Sequence, residues 1–190
     1  MAPTTRITAG EWRGRVIETP RTMNIRPTRS MVRQSLFDIL GARVLNAAVL
    51  DLYAGAGTVG FEALSRGAES VTFVDRDATA QRLIAGTAAR FGCAARCRLV
   101  RAEVGAWLRR DPARLEAFDL AYVDAPYRDS ELERVLAALG THAPALVVCE
   151  HHEKRHLPDR IGRLEQARIA RHGLTTLTFL QRSNDGASPA

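Results

Sequence analysis

Asp51, Asp75, Glu103 and Asp124 each stand at or just beyond the end of a short apolar run, and in between lies a turn rich in glycine. The run AVLDLY delivers Asp51 into a turn with Gly55, Gly57 and Gly60. Glycine in such a turn permits positive φ and lets a ligand come close to the backbone. The G-x-G-x-x-G spacing also serves nicotinamide and flavin nucleotides, so the glycines alone leave an oxidoreductase open. Two neighbours weigh against that. A carboxylate just ahead of the glycines attracts a cation such as an amino-acid ammonium and repels a pyrophosphate. S-adenosylmethionine carries such an ammonium. The next run, SVTFVD, ends in Asp75, where a carboxylate can accept hydrogen bonds from both hydroxyls of an unphosphorylated ribose. After RCRLVR, Glu103 stands where an acid can reach an adenine amino group, and Val104 can line the ring. Tyr53, Ala54 and Arg76 complete the candidate cofactor set. Each acid also has a plain structural role open to it: Asp51 as a helix cap, Asp75 and Asp77 as helix starts, Glu103 as a solvated first-turn acid. Their order on three successive strand ends favours the cofactor reading.

The elements that must position these residues follow from pattern. Apolar runs alternate with helical periods: AVLDLY then FEALSRG, SVTFVD then ATAQRLIAGTAARFG, RCRLVR then VGAWLRR, FDLAYVD then SELERVLAALG, and finally ALVVCEH. Such alternation predicts a mainly parallel sheet with helices on both faces. The later stretch GRLEQARIARHGLTTLTFLQRS reads as two strands around His172 and Gly173, hence an antiparallel hairpin. An otherwise parallel sheet that ends in a hairpin resembles the class I methyltransferase fold, an α/β Rossmann-like architecture of seven strands. Ahead of it, residues 1–27 form a basic extension within the same domain, with RGRVIETP able to make an edge strand or hairpin. From Thr28 the spacing of Val32, Leu36, Ile39 and Leu40 predicts a helix that Thr28 caps and Gly41 ends. The methyltransferase domain is expected over 28–182, followed by a disordered tail at 183–190.

Composition sets the outer bounds. With 190 residues, 46% hydrophobic and 25% charged, the chain has the balance of a single globular domain and not of a disordered or fibrous protein. The net charge of +6 favours a polyanionic partner. No apolar run approaches the ~18–20 residues of a membrane span and no secretory pattern opens the chain, which predicts a cytoplasmic protein. Cys93, Cys97 and Cys149 include no C-x-x-C pair and are read as reduced thiols. His151, His152 and His156 lack visible companion ligands, so no metal site is expected.

The fourth run ends at Asp124-Ala125-Pro126-Tyr127. This tetrapeptide resembles the (Asp/Asn)-Pro-Pro-aromatic turn of methyltransferases that act on amino groups of adenine, cytosine or guanine. Together with GEWRGR (10–15), RPT (26–28), RSMVRQSLFDIL and DLYAGAGTVGFEALSRGA (51–68), the chain resembles the RsmD family over residues 6–182. That resemblance implies transfer of a methyl group from S-adenosylmethionine to the N2 amine of a guanine in 16S rRNA. The implied partner is the small ribosomal subunit or its assembly intermediate, met by a monomer.

The chemistry suits the turn. An aryl amine is a poor nucleophile because its lone pair is shared with the ring, so positioning supplies much of the rate. Asp124 and the Ala125 carbonyl can accept its two N–H bonds, and Tyr127 can stack on a flipped base. The family usually has proline where this chain has Ala125; the carbonyl survives, and Pro126 keeps Ala125 extended. An ordinary strand-ending turn is the plain alternative. Arg6, Arg13, Arg15, Arg21, Arg26, Arg29 and Arg33 crowd the first 33 residues with Trp12 among them. They suit phosphate contact and base stacking, the alternative being a solvated basic face. With the resemblance, RNA contact is expected from Arg13, Arg15, Trp12, Arg29, Arg33 and Arg128, while Arg26 and Thr28 are placed to close over the cofactor or the target nucleotide. A DNA base as acceptor, and an inactive RNA-binding module, remain the competing readings.

Overall fold

Strand and helix alternate in the computed structural model as the sequence pattern requires; it describes residues 4–20, 27–126 and 131–183, without the side chains of 27–29. Two short strands, β1 (Thr4–Arg6) and β2 (Val16–Glu18), form a separate antiparallel pair ahead of α1 (Pro27–Leu40). Then come β3 (Ala48–Leu52), α2 (Thr58–Ser65), β4 (Ser70–Asp75), α3 (Ala78–Phe91), β5 (Cys97–Arg101) and α4 (Val104–Arg110). The chain continues through β6 (Leu120–Val123), α5 (Glu131–Thr141), β7 (Leu146–His152), β8 (Arg160–Ile161), β9 (Leu164–His172) and β10 (Thr175–Arg182).

The main sheet has the order β5-β4-β3-β6-β7-β10-β9-β8, parallel from β5 to β7 and antiparallel beyond. From β3 the chain winds outward to β4 and β5, then returns to the other side of β3 as β6. Such a reversal leaves a crevice at the carboxyl ends of the two middle strands, where open parallel sheets bind ligands.

Period two sorts the strand residues onto two cores. Val49 of β3, Phe73 of β4, Tyr122 of β6 and Val148 of β7 pack with Phe37 of α1, Leu64 of α2 and Ile84 of α3. Leu50, Val74, Val123 and Val147 face the opposite side with Leu108 of α4 and Leu136 of α5. Burial on both faces is why these strands read as nearly continuous apolar runs.

Two expectations change. The sheet has an eighth strand, since β8 pairs Arg160 with Glu165 and Ile161 with Leu164; two residues are too few to show alternation. Helix α1 begins at Pro27, so Thr28 lies inside the first turn and is not the cap. Proline suits a first helical position because the N–H it lacks would have no intrahelical partner there. The expected tail, 183–190, lies outside the described residues beyond Ser183.

The N-terminal segment is bound into the domain by one carboxylate. Glu62 of α2 is fully buried and accepts hydrogen bonds from Thr8 N (2.9 Å), Thr8 Oγ1 (2.6 Å) and Ala9 N (3.0 Å). It also pairs with Arg33 Nε at 3.3 Å and Arg66 Nε at 2.9 Å. Arg33 in turn donates to the Arg6 carbonyl at 2.7 Å. Arg33 is therefore a buried clamp, 6% exposed, and not the solvent-facing RNA contact that its place in the arginine cluster suggested. Trp12 is corrected for the same reason: only 4% exposed, its ring packs on Phe91 at 5.1 Å between centroids, leaving no face for a base.

A buried charge is tolerated when its partners are complete, and removing one partner strands the other. Glu62→Ala should lower the unfolding free energy by about 3–5 kcal/mol in urea titration. Replacing Glu62 and Arg33 together by Leu and Met should cost less than the single change.

Candidate active site

The glycine turn is shaped by its backbone. Gly57 caps α2 at φ +72°, Gly55 has φ +55°, and Tyr53 adopts φ +60°, a left-handed conformation uncommon for a residue with a side chain. Gly60 has a different use. A Cβ there would stand 2.2 Å from Phe73 Cε1, so its absence lets the first turn of α2 settle against β4. Helix and strand pack closely through this glycine, in place of the ligand contact expected of it.

Asp51, at the top of β3, is 2% exposed and accepts a hydrogen bond from Gly60 N at 3.0 Å. The cap-like bond and a place in the cleft coexist. Burial pushes its carboxyl from an ordinary 3.8 up to about 8; the Gly60 N–H opposes the shift, and Asp124 and Asp75 add to it. A cation arriving beside Asp51 reverses that balance by favouring the ionised form.

The cleft itself holds about 700 Å³, part of it continuous with solvent, and brings Asp51, Tyr53, Ala54 and Asp124 together. Thr5, Thr19, Ser30 and Arg33 wall it from the N-terminal segment and α1, while Thr58 and Val59 lie at the start of α2. Tyr53 is held by its hydroxyl, which donates to Glu131 Oε1 at 2.9 Å. Burial and the Glu131 carboxylate both raise its pKa, keeping the phenol neutral.

The remaining cofactor candidates continue along the next strand ends, outside the lining of the cleft. Asp75 Oδ2 accepts from Gly55 N at 2.8 Å and Oδ1 from Asp77 N at 2.9 Å, tying the glycine turn to the end of β4. Arg76 is exposed beside it. Glu103 is exposed and caps α4, accepting from Gly105 N at 2.8 Å and Ala106 N at 2.5 Å. Its carboxylate is engaged by the helix, so an adenine amino group would compete with those bonds. Val104 is 2% exposed and belongs to the second core, with little surface left for a ring.

At the end of β6, Asp124 reaches the cleft, Ala125 is 6% exposed and Pro126 is exposed. Tyr127 and Arg128 lie outside the described residues, as do Arg26 and the side chains of Thr28 and Arg29. Arg13 and Arg15 are exposed, but at the other end of the molecule from the glycine turn. Glu11 N donates to the carbonyl of Ser65, the last residue of α2, at 2.8 Å, and Arg15 lies over Phe91, the last of α3, at 4.1 Å. Eight residues of α2 put ~12 Å between that edge and the cleft.

Tyr122 and Glu150 are among the cleft residues that the sequence reading missed. Tyr122 donates a short hydrogen bond to Oε2 of Glu150, and both side chains line the cavity. Burial first, then Glu150 and Asp124, raise the Tyr122 pKa well above the ordinary value, so it stays a donor. The stretch ALVVCEH was read only as a strand; its available signal was an acid near a strand's carboxyl end, as at Asp51, Asp75 and Asp124.

Known proteins share this arrangement of sequence and backbone. The family model described as conserved hypothetical protein 95 matches residues 5–181. Ribosomal RNA small subunit methyltransferase D of Escherichia coli (strain K12) is 31% identical over 190 residues, covering 97% of this chain and 93% of the relative. YlbH of Bacillus subtilis (strain 168) is 28% identical over 181 residues, 93% of this chain and 98% of the relative. Among solved structures, yhhF from Escherichia coli matches with a TM-score of 0.84 at 27% identity, over 95% of this chain and 99% of that one.

The raised pKa of Asp51 has a sign that can be measured. Between pH 3.8 and about 8 the folded chain keeps a proton on Asp51 that the unfolded chain has released. This residue's contribution to stability is therefore present below the lower value and lost as pH rises through the upper one. Asp51→Asn, which keeps an acceptor for Gly60 N, should be more stable than the parent by about 1–3 kcal/mol above pH 8. Urea unfolding should show that advantage shrinking as the pH approaches 4.

Proposed function

We propose, since the chain belongs to the family described as conserved hypothetical protein 95 and aligns along nearly its whole length with ribosomal RNA small subunit methyltransferase D, that it methylates the N2 amine of a guanine in 16S rRNA with S-adenosylmethionine as donor. The observation that carries the reading is one cleft, at the reversal point of the sheet, containing both Asp51 and Asp124. A buried carboxylate whose ionisation awaits a cation fits an amino-acid ammonium, and the positive-φ turn exposes backbone to a ligand. Bound S-adenosylmethionine supplies an electrophilic methyl group on a sulfonium.

Residues of this chain do the rest by holding the acceptor. Asp124 and the Ala125 carbonyl take the two N–H bonds of the amine, fixing its direction and favouring the positive charge that grows on nitrogen. Ala125 precedes a proline, which biases it to the extended conformation that presents a carbonyl outward. Tyr127 stacks on the flipped base, Arg26 and Thr28 close over the cofactor or the target nucleotide, and Arg128 contacts an RNA phosphate. Asp75 bonds the ribose, with Arg76 beside it. Arg13 and Arg15 meet phosphates only if the RNA extends to the far edge of α2 and α3. No helix among the described residues is long and apolar enough to cross a membrane. A monomer working on the subunit or its assembly intermediate in the cytoplasm completes the proposal.

Small subunits that lack the modification should accept labelled methyl, and nucleoside analysis of the digested RNA should return N2-methylguanosine. Cofactor binding without transfer to subunits, free rRNA or DNA would instead indicate an inactive binding module. Asp124→Ala should lower turnover by about a hundredfold or more while the cofactor Kd stays within about twofold. Asp75→Ala should do the opposite, raising the Kd about tenfold with a smaller effect on saturated turnover.

A further inference from the structure

Glu150 has no part in holding the amine or the methyl donor, yet it faces the same cleft. Strands β6 and β7 run parallel with Tyr122 opposite Val148 and Val123 opposite Cys149. Continued one residue past the end of β6, that register brings Asp124 beside Glu150 on the face that Tyr122 shares with Val148, and both line the cleft. The Tyr122 hydroxyl engages Oε2 of Glu150, and among the described residues no hydrogen bond reaches Oε1.

Bases that carry an exocyclic amine differ at the ring nitrogen that adjoins it on the Watson–Crick edge. In guanine that nitrogen, N1, bears a hydrogen; in adenine N1 and cytosine N3 it bears a lone pair. With the amine held by Asp124 and the Ala125 carbonyl, the adjoining acceptor meets this ring nitrogen. A carboxylate there attracts an N1–H and repels a lone pair, and a site built around such a bond rejects a base that cannot make it. We infer that Glu150 selects guanine by accepting its N1–H, and that Tyr122 is the positioning residue that orients the carboxylate. The inference rests on the guanine-N2 reading above.

2-Aminopurine separates the two ideas, because it keeps the 2-amino group and replaces N1–H by a lone pair; it also lacks O6, so the change of preference in the Glu150 variant, and not the parent's preference alone, reads the N1 contact. Reconstituted small subunits carrying guanosine or 2-aminopurine riboside at the modified position would be compared by kcat/KM. The parent protein should prefer guanosine by roughly a hundredfold. In Glu150→Gln the Tyr122 hydroxyl can bond the amide oxygen, which turns the amide N–H₂ toward the base as a donor. The preference should then fall at least about tenfold or invert. Tyr122→Phe should lower kcat/KM on guanosine subunits and keep the preference for guanosine, since the carboxylate remains. Equal use of both subunits by the parent, or an unchanged preference in Glu150→Gln with normal cofactor binding, overturns the assignment and leaves guanine-N2 methylation intact. Label found on adenine or cytosine overturns that underlying reading as well.

Discussion

Inside α2 the carboxylate of Glu62 gathers donors from Thr8, Ala9, Arg33 and Arg66, residues that stand far apart in the chain. The first core shares its N-terminal side chains with the segment that this cluster holds, and the cleft depends on it for its walls. Thr5, Thr19, Ser30 and Arg33, which wall the cavity, belong to the N-terminal segment and α1 that Glu62 draws against α2. Charge is what makes the attachment specific. Apolar contacts through Ile7, Trp12 and Ile17 hold the segment to the core, whereas a carboxylate at zero exposure accepts one arrangement of donors and penalises others.

The cleft built in this way concentrates like charge. Asp51, Asp124 and Glu150 share one cavity, and the first of them keeps its proton at neutral pH chiefly because it is buried. A folded protein bears that cost only in part, since protonation relieves it, and a cationic ligand removes the rest. Affinity for the ligand and instability of the empty site thus have a common source in the depth at which β3 places Asp51.

Local pattern made most of the fold legible. Strands buried on both faces announced themselves as apolar runs, and carboxylates at their ends, with the glycine turn, marked the binding edge. Long-range pairing was invisible. Nothing near Glu62 in the sequence points to Thr8, 54 positions away, so Arg33 and Trp12 were taken for RNA contacts on the strength of a basic stretch. Charge composition reports how many arginines a segment holds and not which of them is spent inside. Glu103 shows the converse case: the position was right for a ligand acid, but the structure uses the side chain to cap α4. Strand β8 escaped because two residues carry no period.

The path of the N-terminal segment joins the two ends of the molecule. It leaves the cleft at Thr5, turns at Gly10 against the far end of α2, and comes back to the cleft at Thr19. Both arms include a three-residue strand, and the two strands are paired to each other. The arginine-bearing bend at 10–15 and two points of the cavity wall thus belong to one continuous stretch of chain, which is pinned between them to α2 at Glu62 and Ser65.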